Sequence, residues 1–148
     1  MTRGDVLRPG LLTGLGLATT LDEVVFHQLL GWHHLVESAP LSSDGILHVV
    51  GTVALVAGAV LLVPRRPWDV RRLAGAVLAG AGGFNLFDGI VDHKVLRLHQ
   101  VREGVADPLP YDVTWVVASL AVLVLGLLLL RRTPAGRGLR RPGPQPKS

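Results

Sequence analysis

The chain contains no cysteine, and its only methionine is Met1. These absences exclude disulfide bonds, thiolate zinc sites, iron–sulfur clusters and copper(I) sites with sulfur ligands. A metal ion held by these side chains must therefore be bound through imidazole and carboxylate groups. Aromatic residues are also scarce, at 5% of the chain, although 49% of its residues are hydrophobic.

An apolar composition with few charges indicates a small integral membrane protein. The chain has 148 residues, of which 18% are charged, and its mean hydropathy is +0.43. Soluble domains carry about 25% charged residues on average. The lipid bilayer is therefore the expected partner, and the length is enough for one helical bundle.

The basic charge balance follows from where the arginines lie. The formal net charge is +4, but the arginines cluster beside apolar runs, between Arg65 and Arg72 and from Arg131 onward. Positive residues that flank apolar runs set the orientation of a membrane protein. The charge balance therefore indicates topology, and no nucleic-acid partner is expected.

Four apolar runs predict an all-α fold, a four-transmembrane-helix bundle within residues 1–132. The predicted spans are about 9–35, 45–63, 73–100 and 113–130. Asp44 and Asp112 precede the second and fourth runs, and we interpret them as helix N-caps. Residues 133–148 are basic and rich in proline and glycine, which predicts a disordered cytoplasmic tail.

The positive-inside rule orients the predicted bundle. The basic loop at 65–72, the N-terminal lead and the tail should share the cytoplasmic side, so both termini are predicted to be cytoplasmic. All six histidines then fall in the outer half of the bundle. We expect a multi-pass protein of the bacterial inner (plasma) membrane.

Two segments of mixed apolar and ionisable residues, 22–34 and 88–100, align without a gap. The alignment matches Asp22 with Asp88, His27 with His93, and His33 with His99. Matched glycines and prolines extend the correspondence beyond these segments. The chain is therefore predicted to be a duplicated helical hairpin, whose halves are related by an axis along the membrane normal.

Ionisable residues at membrane depth are costly and by default mark a functional site. Imidazole and carboxylate ligands suit copper, iron or zinc. The predicted metal ligands are His27, His33, His93 and His99, with His34 and His48 as auxiliaries. Asp22, Glu23, Asp88 and Asp92 are predicted to bind the ion or to orient the imidazoles.

The residues leave several uses of this site open. A bound metal would serve redox chemistry or metal delivery to a respiratory enzyme, with a respiratory complex or a second copy of the chain as partner. The paired acids and histidines also suit a proton or ion pathway. A bis-histidine haem b protein and a purely structural membrane subunit are the remaining alternatives. Whether the protein is an enzyme stays open.

The two motifs also carry a family resemblance. Asp-x-Val-Val-Phe-His-Gln-Leu-Leu-Gly-Trp-His-His at 22–34 and Gly-Gly-Phe-Asn-Leu-Phe-Asp-Gly-Ile-Val-Asp-His-Lys-Val-Leu-Arg-Leu-His-Gln-Val-Arg at 82–102 resemble bacterial predicted membrane proteins catalogued as domain of unknown function 2243. The resemblance covers all four predicted spans. It implies a four-helix protein of the bacterial inner membrane and brings no established activity.

Overall fold

The computed structural model describes residues 5–131, and this part of the chain contains helices and no strand. The α-helices are α1 (Leu7–Asp22), α2 (Pro40–Leu62), α3 (Val70–Phe87) and α4 (Leu109–Arg131). Two π-helical segments continue α1 and α3, namely π1 (Glu23–Leu29) and π2 (Asp88–Val95), and a short 3-10 turn (Val63–Arg65) follows α2. The tail predicted at 133–148 lies outside the described residues.

Helices α1 and α3 pack against each other at the centre, and glycine lets their backbones approach closely. A Cβ atom at Gly14 would lie 2.0 Å from the carbonyl oxygen of Val77, and one at Gly80 would lie 2.2 Å from that of Leu11. Any larger residue would push the helices apart. Such contacts between small residues and backbone are typical of helices that associate in lipid.

Helices α2 and α4 pack on the outer sides of this central pair, α2 on α1 and α4 on α3. A Cβ atom at Gly16 would lie 2.3 Å from the nitrogen of Leu55, and one at Gly82 would lie 2.4 Å from that of Leu123. The four helices therefore lie in the order α2, α1, α3, α4. This order leaves one broad side of α2 and of α4 without a protein neighbour among residues 5–131.

The sides of α2 and α4 that face away from the bundle are apolar. Val53 and Val60 on α2 are 62% exposed, and Val117 on α4 is 60% exposed. Three helical stretches are long and apolar enough to cross a membrane, Pro40–Arg65, Val70–Val95 and Leu109–Arg131. Lipid tails would cover such surfaces, so the fold is that of a multi-pass membrane protein.

The first and third helices end earlier than the sequence predicts. The backbone N–H of Leu30 donates to the carbonyl of Val25 at 2.9 Å, and that of Leu96 donates to the carbonyl of Val91 at 2.7 Å. This five-residue spacing belongs to π-helix, and it closes both helices before residues 35 and 100. His33, His34 and His99 consequently lie in loops.

Helices α2 and α4 begin earlier than predicted. Helix α2 starts at Pro40 with Ala39 in the N-cap position, since proline is favoured in the first helical turn. Asp112 lies within the first turn of α4. The interpretation of Asp44 and Asp112 as N-caps is therefore wrong, and both carboxylates are available for contacts in the bundle.

Candidate metal centre

Six buried ionisable side chains from both halves of the chain converge where π1 and π2 end, and we call them the central cluster. They are Asp22, His27, His33, Asp88, His93 and His99. Each is at most 4% exposed. The π-helical segments place His27 and His93 inward, and the loops that follow return His33 and His99 to the same place.

Three imidazoles of the central cluster share one small volume. Ring nitrogens of His33, His93 and His99 all lie within 4.8 Å of one another, and Nε2 of His93 is 2.8 Å from Nε2 of His99. The rings of His33 and His99 stack with centroids 4.7 Å apart. Nitrogens bound to one zinc ion at 2.0–2.1 Å would be separated by about 3 Å. The three rings are therefore close to a metal-binding arrangement.

Backbone carbonyls orient two of these rings. Nδ1 of His33 lies 2.8 Å from the carbonyl oxygen of Val101, and Nδ1 of His99 lies 3.1 Å from that of Leu35. Because a carbonyl only accepts hydrogen bonds, each Nδ1 carries the proton and donates it. In the neutral rings Nε2 then presents a lone pair, as metal ligation requires.

Two carboxylates lie against the histidines of the central cluster. Oδ2 of Asp88 is 3.2 Å from Nε2 of His93, and Oδ1 of Asp88 is 3.8 Å from Nε2 of His99. In the first half, Oδ2 of Asp22 is 3.5 Å from Nε2 of His27. These acids can bind an ion directly or accept hydrogen bonds from its ligands.

Several atoms of the central cluster are buried without a hydrogen-bond partner. They include Nε2 of His33, Oδ1 of Asp22 and Oδ2 of Asp88. A buried polar group left unpaired costs about 1–3 kcal/mol. A cation bound among these atoms would remove that cost, so the donor set fits a metal ion.

The two loop histidines of the central cluster, His33 and His99, are held in the neutral form by their surroundings. Burial lowers the pKa of His33 below its usual value of 6.5. Burial also lowers the pKa of His99, to about 4, and the neighbouring His33 adds to this effect. Neutral imidazole is the form that binds metal, so both rings have the protonation state that metal binding requires near pH 7.

A second group of side chains lies beside the central cluster, at a cavity of about 720 Å³. Nδ1 of His27 is 3.0 Å from Oε2 of Glu23 and 3.1 Å from Oδ1 of Asp44. His34 and His48 also line this cavity. The structure therefore places Glu23, His34 and His48 away from the three converging imidazoles, while His27 contacts both groups.

Asp92 belongs to neither group. Its side chain is half-buried, and its backbone carbonyl accepts a hydrogen bond from the N–H of Leu98 at 2.9 Å. Among residues 5–131, the three sets of side chains that could hold a metal ion do not include Asp92.

Sequence reasoning missed Asp44 as a site residue. Its carboxylate contacts His27, accepts from Nδ1 of His34 at 2.6 Å and accepts from the backbone N–H of Leu35 at 2.9 Å. The available signal was Pro40, because a proline at the helix start moves Asp44 one turn into the helix, on a face that can contact the bundle.

Comparison with known proteins identifies a family for this chain. A family model described as "Predicted membrane protein (DUF2243)" matches residues 9–133. No curated protein and no solved structure matches the chain.

Proposed function

The chain belongs to the DUF2243 family of predicted membrane proteins, and from this premise we propose that it holds a transition-metal ion in the outer half of a four-helix bundle. His27, His33, His93 and His99 are the proposed ligands. The single observation that carries the proposal is the convergence of His33, His93 and His99 from distant parts of the chain, buried and within 4.8 Å of one another. Copper, iron or zinc suits this imidazole-rich set.

The remaining predicted site residues have supporting parts in the proposal. Asp22 and Asp88 contact the histidines directly and would bind the ion or fix the imidazoles. Glu23, His34 and His48 lie at the neighbouring cavity as auxiliary groups. Asp92 has no direct part in the proposed site, because its side chain belongs to none of the candidate ligand sets in residues 5–131.

The proposed architecture is a duplicated hairpin of four membrane-spanning helices, with both termini in the cytoplasm of a bacterial cell. Reciprocal contacts support the duplication: Gly14 packs on Val77 as Gly80 packs on Leu11. The arginines between α2 and α3 support the orientation. The first helix, α1 with π1, would then be the fourth span, with its acids covered by the bundle.

The proposed ion has two candidate uses, redox chemistry and delivery of metal to a respiratory enzyme. A reversible spectral change on reduction would support the redox use. Transfer of the ion to a metal-free acceptor protein would support delivery, with that acceptor as the partner.

Metal analysis of the purified protein tests the proposal. Full-length protein extracted from native membranes without chelator should contain a stoichiometric first-row metal by elemental analysis. His33→Ala combined with His99→Ala should remove it. His48→Ala is the matched control and should remove less, because His48 lies at the cavity rather than in the central cluster. An absorption spectrum of the same sample distinguishes haem b from a simple metal ion.

A proton or ion pathway is the second candidate function. A line of titratable groups favours it, since Asp22 approaches His27 at 3.5 Å, His27 approaches Asp44 at 3.1 Å, and Asp44 binds His34 at 2.6 Å. The side chain of His34 is 37% exposed, so the line runs from the buried acid to the surface. Protein that lacks both metal and haem, but conducts protons in liposomes, would favour this function.

A further inference from the structure

We propose a second cation site beside the central cluster, formed by Glu23, His27 and Asp44, and we call it the outer site. It would take a divalent first-row metal ion through carboxylate and imidazole ligands. This inference rests on the proposed function, because the two sites share His27. It adds a separate ion, bound by Glu23 and Asp44 together with His27, that has its own access to the surface.

The ligand atoms of the outer site lie close together. Oε2 of Glu23 lies 3.0 Å and Oδ1 of Asp44 lies 3.1 Å from Nδ1 of His27, and the three groups can place their ligand atoms within 4.8 Å of one another. Glu23 is only 1% exposed. Its Oε2 and the Nδ1 of His27 are buried and lack hydrogen-bond geometry despite the short distance. A cation between them would satisfy both atoms.

The outer site opens onto the cavity of about 720 Å³. His34 binds Asp44 at the edge of this cavity. His48 lies four residues after Asp44 on helix α2, hence on the same face one turn away. The cavity therefore offers two further imidazoles along the way from the surface to Glu23.

In the second half of the chain, a cation is paired with the carboxylate that corresponds to Asp44. Asp112 is the counterpart of Asp44, and the ammonium group of Lys94 makes a salt bridge with its carboxylate. Lys94 also donates to Gln100 at 3.1 Å, and Gln100 is the counterpart of His34. A positive charge is thus built into the second half at this carboxylate.

The first half replaces that lysine with a neutral residue. Gln28 is the counterpart of Lys94, and its side-chain amide donates to Oε1 of Glu23 at 2.9 Å. The first half also has Glu23 where the second has Gly89. It therefore gathers an additional carboxylate and an additional histidine, His34, around the aspartate. A bound metal ion would supply the positive charge that Lys94 supplies in the second half.

His27 couples the two sites. Its Nδ1 faces Glu23 and Asp44, whereas its Nε2 lies 3.5 Å from Asp22 of the central cluster. A neutral imidazole has one lone pair, so His27 binds one ion at a time. With the outer ion on Nδ1, its Nε2 can donate to Asp22, and the central ion is then held by His33, His93 and His99. The outer site therefore lies between the cavity and the central metal, where an ion could be handed inward.

Zinc stoichiometry tests the outer site. Full-length protein in lipid nanodiscs, stripped with chelator and titrated with Zn²⁺, should bind two ions per chain. Asp44→Asn and Glu23→Gln should each leave one. Asp112→Asn is the matched control, because it alters the corresponding acid in the second half, and it should still bind two. The double variant His33→Ala with His99→Ala should keep the outer ion alone.

The outcomes separate the two proposals. Wild-type protein that binds one ion, unchanged by Asp44→Asn and Glu23→Gln, would overturn the outer site and leave the central one standing. Wild-type protein that binds none would overturn both. Equal losses in Asp44→Asn and Asp112→Asn would also overturn the outer site, because they would indicate a general structural effect. Gel filtration of every variant checks that the protein is folded.

Discussion

Nδ1 of His33 lies 2.8 Å from the carbonyl oxygen of Val101, so the second half of the chain orients a candidate ligand of the first half. The reciprocal contact joins His99 to the carbonyl of Leu35 at 3.1 Å. Each loop therefore depends on the other for its position. The candidate ligands are fixed by crossing loops rather than by the helices alone, and the site should form only when both halves are assembled.

The carboxylates of the central cluster should tune metal affinity. If Asp22 and Asp88 orient imidazoles, Asp22→Asn and Asp88→Asn should each weaken binding by about 10- to 100-fold. Competition with a chromophoric chelator measures the change, and Asp92→Asn serves as the control that should have little effect. Complete loss of the ion in either variant would instead make that carboxylate a ligand.

Metal occupancy should persist to a lower pH than an exposed histidine site allows. Protons compete with metal for imidazole nitrogen, and burial lowers the pKa of His99 to about 4. A lower pKa means that protonation begins at lower pH, so the site should remain filled at pH 6 and lose metal as pH approaches 4. A solvent-exposed histidine peptide, with pKa near 6.5, is the control. Release of the ion already at pH 6.5 would contradict the role of burial.

The sequence pairs Asp22 with Asp88 and His33 with His99 by a gapless alignment. The structure places these side chains in one cluster, while the duplication itself stays a prediction. The helical nature of the chain was also predictable, because long apolar runs in lipid must satisfy their own backbone hydrogen bonds.

The ends of the helices could not be predicted from the apolar runs. These runs predict that the first helix continues past His33 to about residue 35, whereas the chain leaves the helix near Gly31, which has φ +57. Gly31 is a recognisable helix-end signal. Arg97, at the corresponding point of the second half, has φ +53 and gives no such signal, so the position of His99 in a loop depends on tertiary packing.

Reporter fusions should establish the orientation. Fusions after Glu37 and after Val105 should be active on the outer side, and a fusion after Trp68 should be active in the cytoplasm, because arginines flank Trp68 on both sides. An alkaline phosphatase and a fluorescent protein reporter give opposite responses at each point. A cytoplasmic signal at Glu37 would place the histidines on the inner side and contradict the proposed topology.

Lys94 should contribute to stability by compensating Asp112, which is 5% exposed. Lys94→Met leaves that carboxylate buried without its cation, a loss that costs about 3–5 kcal/mol for fully buried pairs. The lysine side chain is 44% exposed, so water screens part of the interaction, and a loss of about 1–3 kcal/mol is expected. Unfolding in detergent measures it. Adding Asp112→Asn should restore most of the stability, and failure to do so would assign the loss to packing.

Gly31 and Arg97 should respond in opposite directions to substitution, because both adopt left-handed backbone conformations at the same point of the two halves. A residue with a Cβ atom pays about 1–2 kcal/mol in that conformation. Gly31→Ala should therefore lower the free energy of unfolding by about 1 kcal/mol. A Cβ atom at this position would meet nothing within 4 Å, so a steric clash would not contribute to the change. Arg97→Gly should raise it, by about 1 kcal/mol or less, since glycine also gains freedom in the unfolded chain. Chemical denaturation of both variants against wild type measures the pair, and a stabilising Gly31→Ala would show that this turn is not left-handed in the folded protein.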